Sequence, residues 1–204
     1  MGRDRDVAAF DQRARDYEEG WRGRLHHEIA DRTADLALGC VPAPRRILDV
    51  GCGTGYLLRQ FAGGCPGATE LWGIDAAPTM IEVAAATSAD DRLRFRAGTA
   101  EELPWTAETF DLVVSTTSFD HWADQQAGLT ECARVMVPGG TLVLVDQFSS
   151  LLLPTLLAGR RGKARTKRRA SKLVSAAGFR SLRWHDLYAV IIRAVTASKQ
   201  PAPH

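Results

Sequence analysis

The segment "ILDVGCGTGYLLRQF", residues 47–61, constrains the fold more than any other part of the sequence. Three glycines occupy five consecutive positions between two apolar runs. Because glycine loses the most backbone entropy on folding, such a cluster marks a tight turn or a close approach to a ligand. The run before it predicts a short buried strand over 46–50, and Leu57, Leu58 and Phe61 follow at helical spacing. A strand, a glycine turn and a helix N-terminus together predict a site for a polar ligand.

Strand and helix patterns alternate from residue 47 onward. Strands are predicted at 46–50, 70–74, 93–97, 111–115 and 141–146, with helices between them at 54–62, 78–87 and 123–136. This alternation predicts a parallel sheet covered by helices on both faces. After a helix at about 167–177, the segment 180–197 holds two strand-like runs split around Asp186. Because no helix separates these runs, they predict an antiparallel hairpin at the sheet edge.

The 204 residues are long enough for one domain with a sizeable core. We expect an N-terminal helical cap over 1–40, whose helix pattern at 5–38 is broken near Gly20 and Gly23. The cofactor-binding core follows over 41–150, then a connecting segment over 151–169, and finally a C-terminal helix and hairpin over 170–197. The segment 151–169 has an apolar half and then seven basic side chains without an acidic one. Such a charge run is usually a solvated connection, but its place after the fifth strand also fits a substrate flap.

Charge and cysteine content narrow the classes of protein that fit. The net charge of +2 creates no global field that attracts nucleic acid or membrane. The four cysteines form no CxxC pair, which favours reduced thiols. The sequence shows neither a signal-peptide core nor an apolar stretch long enough to span a bilayer. We therefore expect a cytoplasmic protein.

Glycine spacing distinguishes two kinds of ligand. Gly51, Gly53 and Gly55 form GxGxG, whereas a dinucleotide fingerprint is GxGxxG, whose third glycine is replaced here by Tyr56. Asp49 also lies inside the first strand, where a carboxylate faces a pyrophosphate unfavourably. It suits a cationic or zwitterionic ligand, such as one with an amino group and a sulfonium.

The run from Asp49 to Gly55 resembles motif I of class I S-adenosylmethionine-dependent methyltransferases. Three further blocks, "FDQRARDYEEGW", "AGTAEELPWTAETFDLVVS" and "ECARVMVPGGTLVLVD", resemble blocks of the small-molecule branch that includes ubiquinone and menaquinone methyltransferases. The resemblance covers nearly the whole chain, with the blocks in the expected order. It implies an α/β fold, a Rossmann-like doubly wound seven-stranded sheet with strand order 3-2-1-4-5-7-6 and strand 7 antiparallel.

The same resemblance implies S-adenosylmethionine as the cofactor and S-adenosylhomocysteine as its product. The three motif glycines would approach its methionine and ribose portions, and Asp49 would organise the loop and the ammonium end. Asp75, which ends the second strand, would accept both ribose hydroxyls. The residues implied to contact the adenine are Ala76, Met80, Thr99, Ala100 and Glu101. Ser115 and Thr116 would lie near the methionine end, and Tyr17 would pack over the cofactor. The family usually has Asp at position 99, so Thr99 predicts a weaker, uncharged hydrogen bond to adenine.

Catalysis of methyl transfer requires a base only where the acceptor must lose a proton. Imidazole is the side chain best matched to that role near neutral pH. His121 follows the fourth strand, where related enzymes place residues of the active site, and Asp120 beside it is a candidate to orient the ring or to act itself. The sequence shows no metal-ligand spacing and no GxSxG nucleophile elbow. We therefore expect no metal.

Two other functions remain as alternatives. An NAD-dependent oxidoreductase uses a similar sheet, but Tyr56 and the C-terminal hairpin count against it. An RNA methyltransferase or RNA-binding protein would use the basic run 160–172, which lacks interleaved aromatic residues for stacking. The expected partner is a small-molecule acceptor, apolar and with an acidic group if the segment 151–169 covers it. Oxygen, nitrogen and carbon acceptors all fit.

Overall fold

The computed structural model describes residues 20–148, 166–189 and 191–200. The helices are α1 (Gly20–Cys40), α2 (Tyr56–Gly64), α3 (Pro78–Thr87), α4 (Gln125–Val135) and α5 (Lys167–Ala176), with a 3₁₀ turn at Phe119–His121. The strands are β1 (Arg46–Val50), β2 (Glu70–Asp75), β3 (Leu93–Ala97), β4 (Phe110–Thr116), β5 (Met136–Gln147), β6 (Phe179–Tyr188) and β7 (Ile192–Lys199). Residues 1–19 of the predicted cap and most of the predicted flap lie outside the described residues.

The seven strands form one sheet in the order β3-β2-β1-β4-β5-β7-β6. The first five strands pair in parallel, and β7 runs antiparallel to both β5 and β6. The predicted Rossmann-like sheet, its strand order and the antiparallel seventh strand are therefore confirmed. This topology brings the carboxyl ends of β1, β2 and β4 to one edge, where open α/β sheets bind ligands.

Both faces of the sheet are covered, which explains why the central strands are apolar along their whole length. On one face, Ile47 and Leu112 pack with Phe61 of α2 and with the small residues of α1. On the other face, Leu48 and Val113 pack with residues of α4 and α5. Phe61 is fully buried, and burial of such a side chain contributes about 1.5–3 kcal/mol.

Three local predictions need correction. α1 runs unbroken through Gly23, because a single glycine costs a helix only about 1 kcal/mol and α1 recovers that by burying Ile29 and its neighbours. The hairpin turn follows Tyr188 and not Asp186, which lies within β6 and pairs with Arg193 of β7, Oδ1 to Nε at 2.9 Å.

The third correction concerns the start of β5. The strand begins at Met136, directly after α4, and Met136 pairs with Phe110. Gly139 has a φ of 78°, and the register between β4 and β5 shifts there, so that 138–140 form an irregularity inside the strand. Within the described parts of the chain, no helix is both long and apolar enough to cross a membrane.

Candidate functional site

A cleft with an empty volume of about 820 Å³ opens at the carboxyl ends of the central strands. It is lined by ten residues that the sequence predicted for the cofactor or for catalysis: Gly51, Gly53, Asp75, Ala76, Met80, Thr99, Ala100, Glu101, Thr116 and His121. We refer to it as the first cleft. Residues from four separate loops therefore meet at one site, as the parallel topology requires.

The three glycines of the turn after β1 differ in what a side chain at each position would meet. All three have positive φ values, which side chains adopt only with strain. A Cβ at Gly51 would overlap the side chain of Ser118, and one at Gly55 would lie 2.7 Å from Cε1 of Phe95. A Cβ at Gly53 would meet no atom of the described chain within 4 Å. The space beside Gly53 is therefore open, whereas Gly51 and Gly55 are required by packing.

Asp75 ties the glycine turn to the end of β2. Its Oδ2 accepts a hydrogen bond from the backbone N–H of Gly53 at 2.9 Å, and its Oδ1 accepts one from Ala77 at 2.9 Å. A carboxylate offers about four lone-pair sites, which is more than these two bonds use. The half-buried carboxylate also lines the first cleft.

Asp49 lines a second cleft of about 500 Å³ on the other side of the glycine turn. Its side chain is buried, and its Oδ1 has no hydrogen-bond partner among the described residues. Burial, and in second place the negative charge of Asp75, raises the pKa of Asp49 from 3.8 to about 8. A buried carboxyl group with an unused oxygen is electrostatically complementary to a cationic ligand group.

The two clefts are neighbours. They share Gly51 and Gly53 of the glycine turn and Thr116 and Thr117 at the end of β4. The hydroxyl Oγ1 of Thr116 is buried without a hydrogen-bond partner in the described structure.

The turn after β4 is held in a strained conformation. Thr117 has a φ of 53°, which is rare for a β-branched residue and costs about 1–3 kcal/mol. The next residue anchors it: the hydroxyl of Ser118 donates to the carbonyl of Val50 at 2.9 Å and accepts from the hydroxyl of Ser115 at 2.8 Å. Trp122 Nε1 also donates to Ser118 Oγ, at 3.3 Å. These bonds lock the β4 turn to the end of β1.

Four predicted site residues lie outside the first cleft, and a fifth is outside the described residues. Gly55 and the fully buried Ser115 line neither cleft, and Ser115 instead supports Ser118. Asp120 is adjacent to His121 on the 3₁₀ turn but lines neither cleft, and its backbone N–H donates to Asp146 Oδ2 at 3.0 Å. Asp49 lies in the second cleft and not the first, and Tyr17 is outside the described residues.

Sequence reasoning missed several lining residues. Thr117, Ser118 and Trp122 belong to the turn after β4, which the sequence marked only through His121 and its neighbours. His26 and His27, which have no predicted role, both line the second cleft. The signal for Trp122 was present in its position beside His121, whereas nothing in the sequence indicates which face of α1 meets the glycine turn.

Comparisons with known proteins agree with this arrangement. Residues 48–144 match the family model described as "Methyltransferase domain". Over 117 residues the chain is 39% identical to demethylmenaquinone methyltransferase of Thermus thermophilus, covering 56% of this chain and 52% of that protein. Over 173 residues it is 32% identical to 27-O-demethylrifamycin SV methyltransferase of Amycolatopsis mediterranei, covering 76% of this chain and 61% of that protein. The chain spans about half the length of the curated relatives it matches.

The fold is also that of solved structures. The crystal structure of human N-acetylserotonin methyltransferase in complex with S-adenosylmethionine superposes with a TM-score of 0.71, covering 96% of this chain and 57% of that one at 22% identity. The sheet order, the glycine turn after β1 and the matched family model all indicate the same kind of domain. Residues 48–144 are therefore a methyltransferase domain, and the sheet that contains them has the fold of class I S-adenosylmethionine-dependent methyltransferases.

Proposed function

We propose that the protein transfers a methyl group from S-adenosylmethionine to a small-molecule acceptor. The observation that carries this proposal is the buried Oδ1 of Asp49, which has no hydrogen-bond partner among the described residues and lies beside a glycine turn with open space at Gly53. A ligand with a cationic end and a ribose suits this donor set, because the first cleft also presents Asp75 to hydroxyls. A dinucleotide pyrophosphate has no cation to offer Asp49.

In this proposal the adenosine portion occupies the first cleft. Asp75 accepts the ribose hydroxyls, and Ala76 and Met80 contact the adenine ring. Thr99 accepts from the adenine amino group, while Ala100 and Glu101 line the adenine edge. This assignment is supported by the apolar character of Met80, which is 2% exposed, and by the placement of Thr99 in the same cleft.

The chemistry of the proposed reaction needs little from the protein beyond alignment. S-adenosylmethionine supplies, when bound, a methyl group whose bond to sulfur breaks with the electron pair going to sulfur. The residues of the chain align the acceptor with the methyl group and exclude water. The alignment alone can lower the activation barrier by about 7–11 kcal/mol. Where the acceptor is a hydroxyl or an acidic carbon, we propose that His121 in the first cleft takes its proton.

An apolar small molecule is the proposed acceptor. The first cleft carries apolar side chains beside the polar ones, including Val50, Ile74 and Trp122. The relatives named above act, by their names, on demethylmenaquinone and on a demethylrifamycin, which are small organic molecules. The acidic group predicted for the acceptor depends on the segment 151–169, which lies largely outside the described residues.

The test uses S-adenosylmethionine with an isotopically labelled methyl group. The protein is incubated with a cell extract separated into small-molecule, RNA and protein fractions, and the label is followed by mass spectrometry. We expect the label in the small-molecule fraction, together with release of S-adenosylhomocysteine. Transfer of the label to RNA or to protein would contradict the proposed acceptor class.

A further inference from the structure

Helix α5 carries a basic face that the proposed function leaves unused. Arg168, Arg169 and Lys172 are exposed, and the helix contains no acidic residue. Successive helix residues differ by about 100°, so these three side chains lie within about 100° of the helix circumference, opposite the buried Ala170 and Val174. Among the described residues, none of the three forms an ion pair with an acidic side chain. We refer to these three cations, which point away from the core, as the basic face.

The positive charge of the chain is concentrated around this helix. Residues 160–172 hold eight basic and no acidic side chains, whereas the net charge of the whole chain is only +2. The remainder of the chain is therefore net negative. A local excess of this kind attracts an anionic surface within about a Debye length, roughly 8 Å at physiological salt, even though the chain as a whole is close to neutral.

The first residues of α5 lie at the same edge of the sheet as the first cleft. Nζ of Lys167 lies 4.0 Å from Oδ1 of Asp186, near the carboxyl end of β6, and 5.5 Å from the ring centroid of Trp184. One turn later, Ser171 Oγ accepts from Nε1 of Trp184 at 3.1 Å. Because β5 and β6 both run antiparallel to β7, they share a direction, and the carboxyl end of β6 is at the cleft edge. Three strand spacings of about 4.8 Å separate β6 from β4.

Two kinds of large anion fit an unpaired basic face: a nucleic acid and the surface of an anionic bilayer. α5 contains no aromatic side chain on which a base would stack. In the sequence, the leucine-rich run 151–157 precedes the basic residues, and apolar residues combined with a polybasic segment are typical of binding at a membrane surface. The proposed acceptor is also apolar, and apolar molecules concentrate in lipid. These observations favour the bilayer.

We propose that the basic face of α5 binds the surface of a bilayer that contains anionic phospholipid. The face contacts the headgroup phosphates through charge, and no part of the chain crosses the bilayer in this arrangement. Binding there places the first cleft beside the lipid from which an apolar acceptor would enter. The choice of lipid over RNA rests in part on the proposed function, whereas the binding itself is measured without methyl transfer.

The experiment measures binding of the whole chain to vesicles by co-sedimentation. One set of vesicles contains phosphatidylcholine alone, and the other contains phosphatidylcholine and phosphatidylglycerol in equal parts. In the test variant, glutamine replaces all three residues of the basic face. The control variant carries Arg24→Gln, Arg94→Gln and Arg96→Gln, which remove the same charge from exposed positions on α1 and β3. Binding of a single-stranded RNA of mixed sequence is measured in the same buffer.

We expect the wild type to bind only the vesicles that contain phosphatidylglycerol, and less tightly as the salt concentration rises. The test variant should bind these vesicles about 100-fold more weakly, which corresponds to about 1 kcal/mol for each charge removed. The control variant should bind as the wild type does. A third variant, Arg168→Lys with Arg169→Lys, should also retain binding, because a bilayer surface responds to charge and not to guanidinium geometry. Melting temperatures show whether each variant is folded.

Three results would overturn the inference. The wild type would fail to bind vesicles that contain phosphatidylglycerol, or the test and control variants would lose the same factor, which is the result expected of net charge alone. The third is RNA that binds more tightly than the vesicles and displaces the protein from them, which would identify the basic face as a nucleic-acid site. Loss of vesicle binding leaves the proposed methyl transfer intact, because the labelling experiment tests that reaction separately.

Discussion

The backbone N–H of Gly53 donates to Asp75 Oδ2 at 2.9 Å and so joins the end of β1 to the end of β2. One carboxylate thereby shapes the turn that leaves space for a ligand and also lines the cleft that would receive it. The second oxygen accepts from Ala77 at the start of α3. Asp75 is therefore both a structural link between three elements and a candidate ligand contact.

Replacement of Asp75 should weaken cofactor binding. In Asp75→Asn one oxygen becomes an NH₂ group that faces a backbone N–H, at Gly53 or at Ala77, so a donor opposes a donor. Together with loss of the charge-assisted bonds to ribose, this should raise the dissociation constant of S-adenosylhomocysteine at least about tenfold. Asp91→Asn, at an exposed position before β3, is the control. Wild-type affinity and melting temperature in Asp75→Asn would contradict both roles.

Gly53 can be tested against a glycine with the same backbone strain. Gly53 and Gly139 have φ values of 52° and 78°, and a Cβ at either would meet no described atom within 4 Å. Valine at either position should therefore cost similar stability. Only Gly53→Val would fill the proposed cofactor space and abolish binding of S-adenosylhomocysteine in calorimetry. Equal affinity in folded Gly53→Val and Gly139→Val proteins would show that the glycine turn does not contact the cofactor.

Binding at Asp49 should release a proton. Burial and the charge of Asp75 raise the pKa of Asp49 to about 8, so its carboxyl group is mostly protonated at pH 7 in the free protein. An ammonium beside it lowers that pKa, and the bound state then holds fewer protons. Affinity for S-adenosylmethionine should therefore rise as the pH increases toward 8 and level off above it.

Calorimetry in buffers with different ionisation enthalpies measures this proton release directly. Asp49→Asn should bind more weakly and release no proton, because its side chain does not titrate. Wild-type binding whose heat is the same in every buffer at pH 7 would mean that the ammonium does not reach Asp49.

His121 should matter for turnover and not for cofactor affinity. In the proposed reaction it removes a proton from a hydroxyl or carbon acceptor, and loss of such a base costs about 10²–10⁴-fold in rate. His121→Ala should therefore bind S-adenosylhomocysteine normally and transfer the labelled methyl group slowly, without the rising acidic limb of the rate profile. His185→Gln is the matched control, since His185 is bonded to Thr196 within the hairpin. Near-normal turnover with an unchanged pH profile would exclude His121 as the base.

The sequence predicted the parallel part of the fold because buried strands and glycine turns leave strong local signals. The run from Ile47 to Val50, the GxGxG turn and Asp75 at a strand end all have characteristic residue patterns. The hairpin turn was misplaced because Asp186 interrupts an apolar run, although within β6 it pairs with Arg193 across the hairpin. A charged residue inside an edge strand has no local signal that distinguishes it from a turn.

Parts of the site depend on contacts that no local pattern reports. Thr117 has a positive φ because Ser118 is bonded to the end of β1, and its β-branched side chain predicts the opposite. The histidines of α1 line the second cleft because the helix crosses the glycine turn, which is a matter of tertiary packing. For Ser115 the local pattern predicts a ligand contact that the structure does not show. Its position at a strand end indicates such a contact, but its hydroxyl is bonded to Ser118 instead.

The most direct test of the central claim is a calorimetric titration of the protein with S-adenosylhomocysteine and, separately, with NADH. The two ligands share adenosine, but only S-adenosylhomocysteine has an ammonium group to offer Asp49, and only NADH has a pyrophosphate. We predict saturable binding of S-adenosylhomocysteine at one site per chain and no binding of NADH under the same conditions. Saturable binding of NADH without binding of S-adenosylhomocysteine would contradict the account.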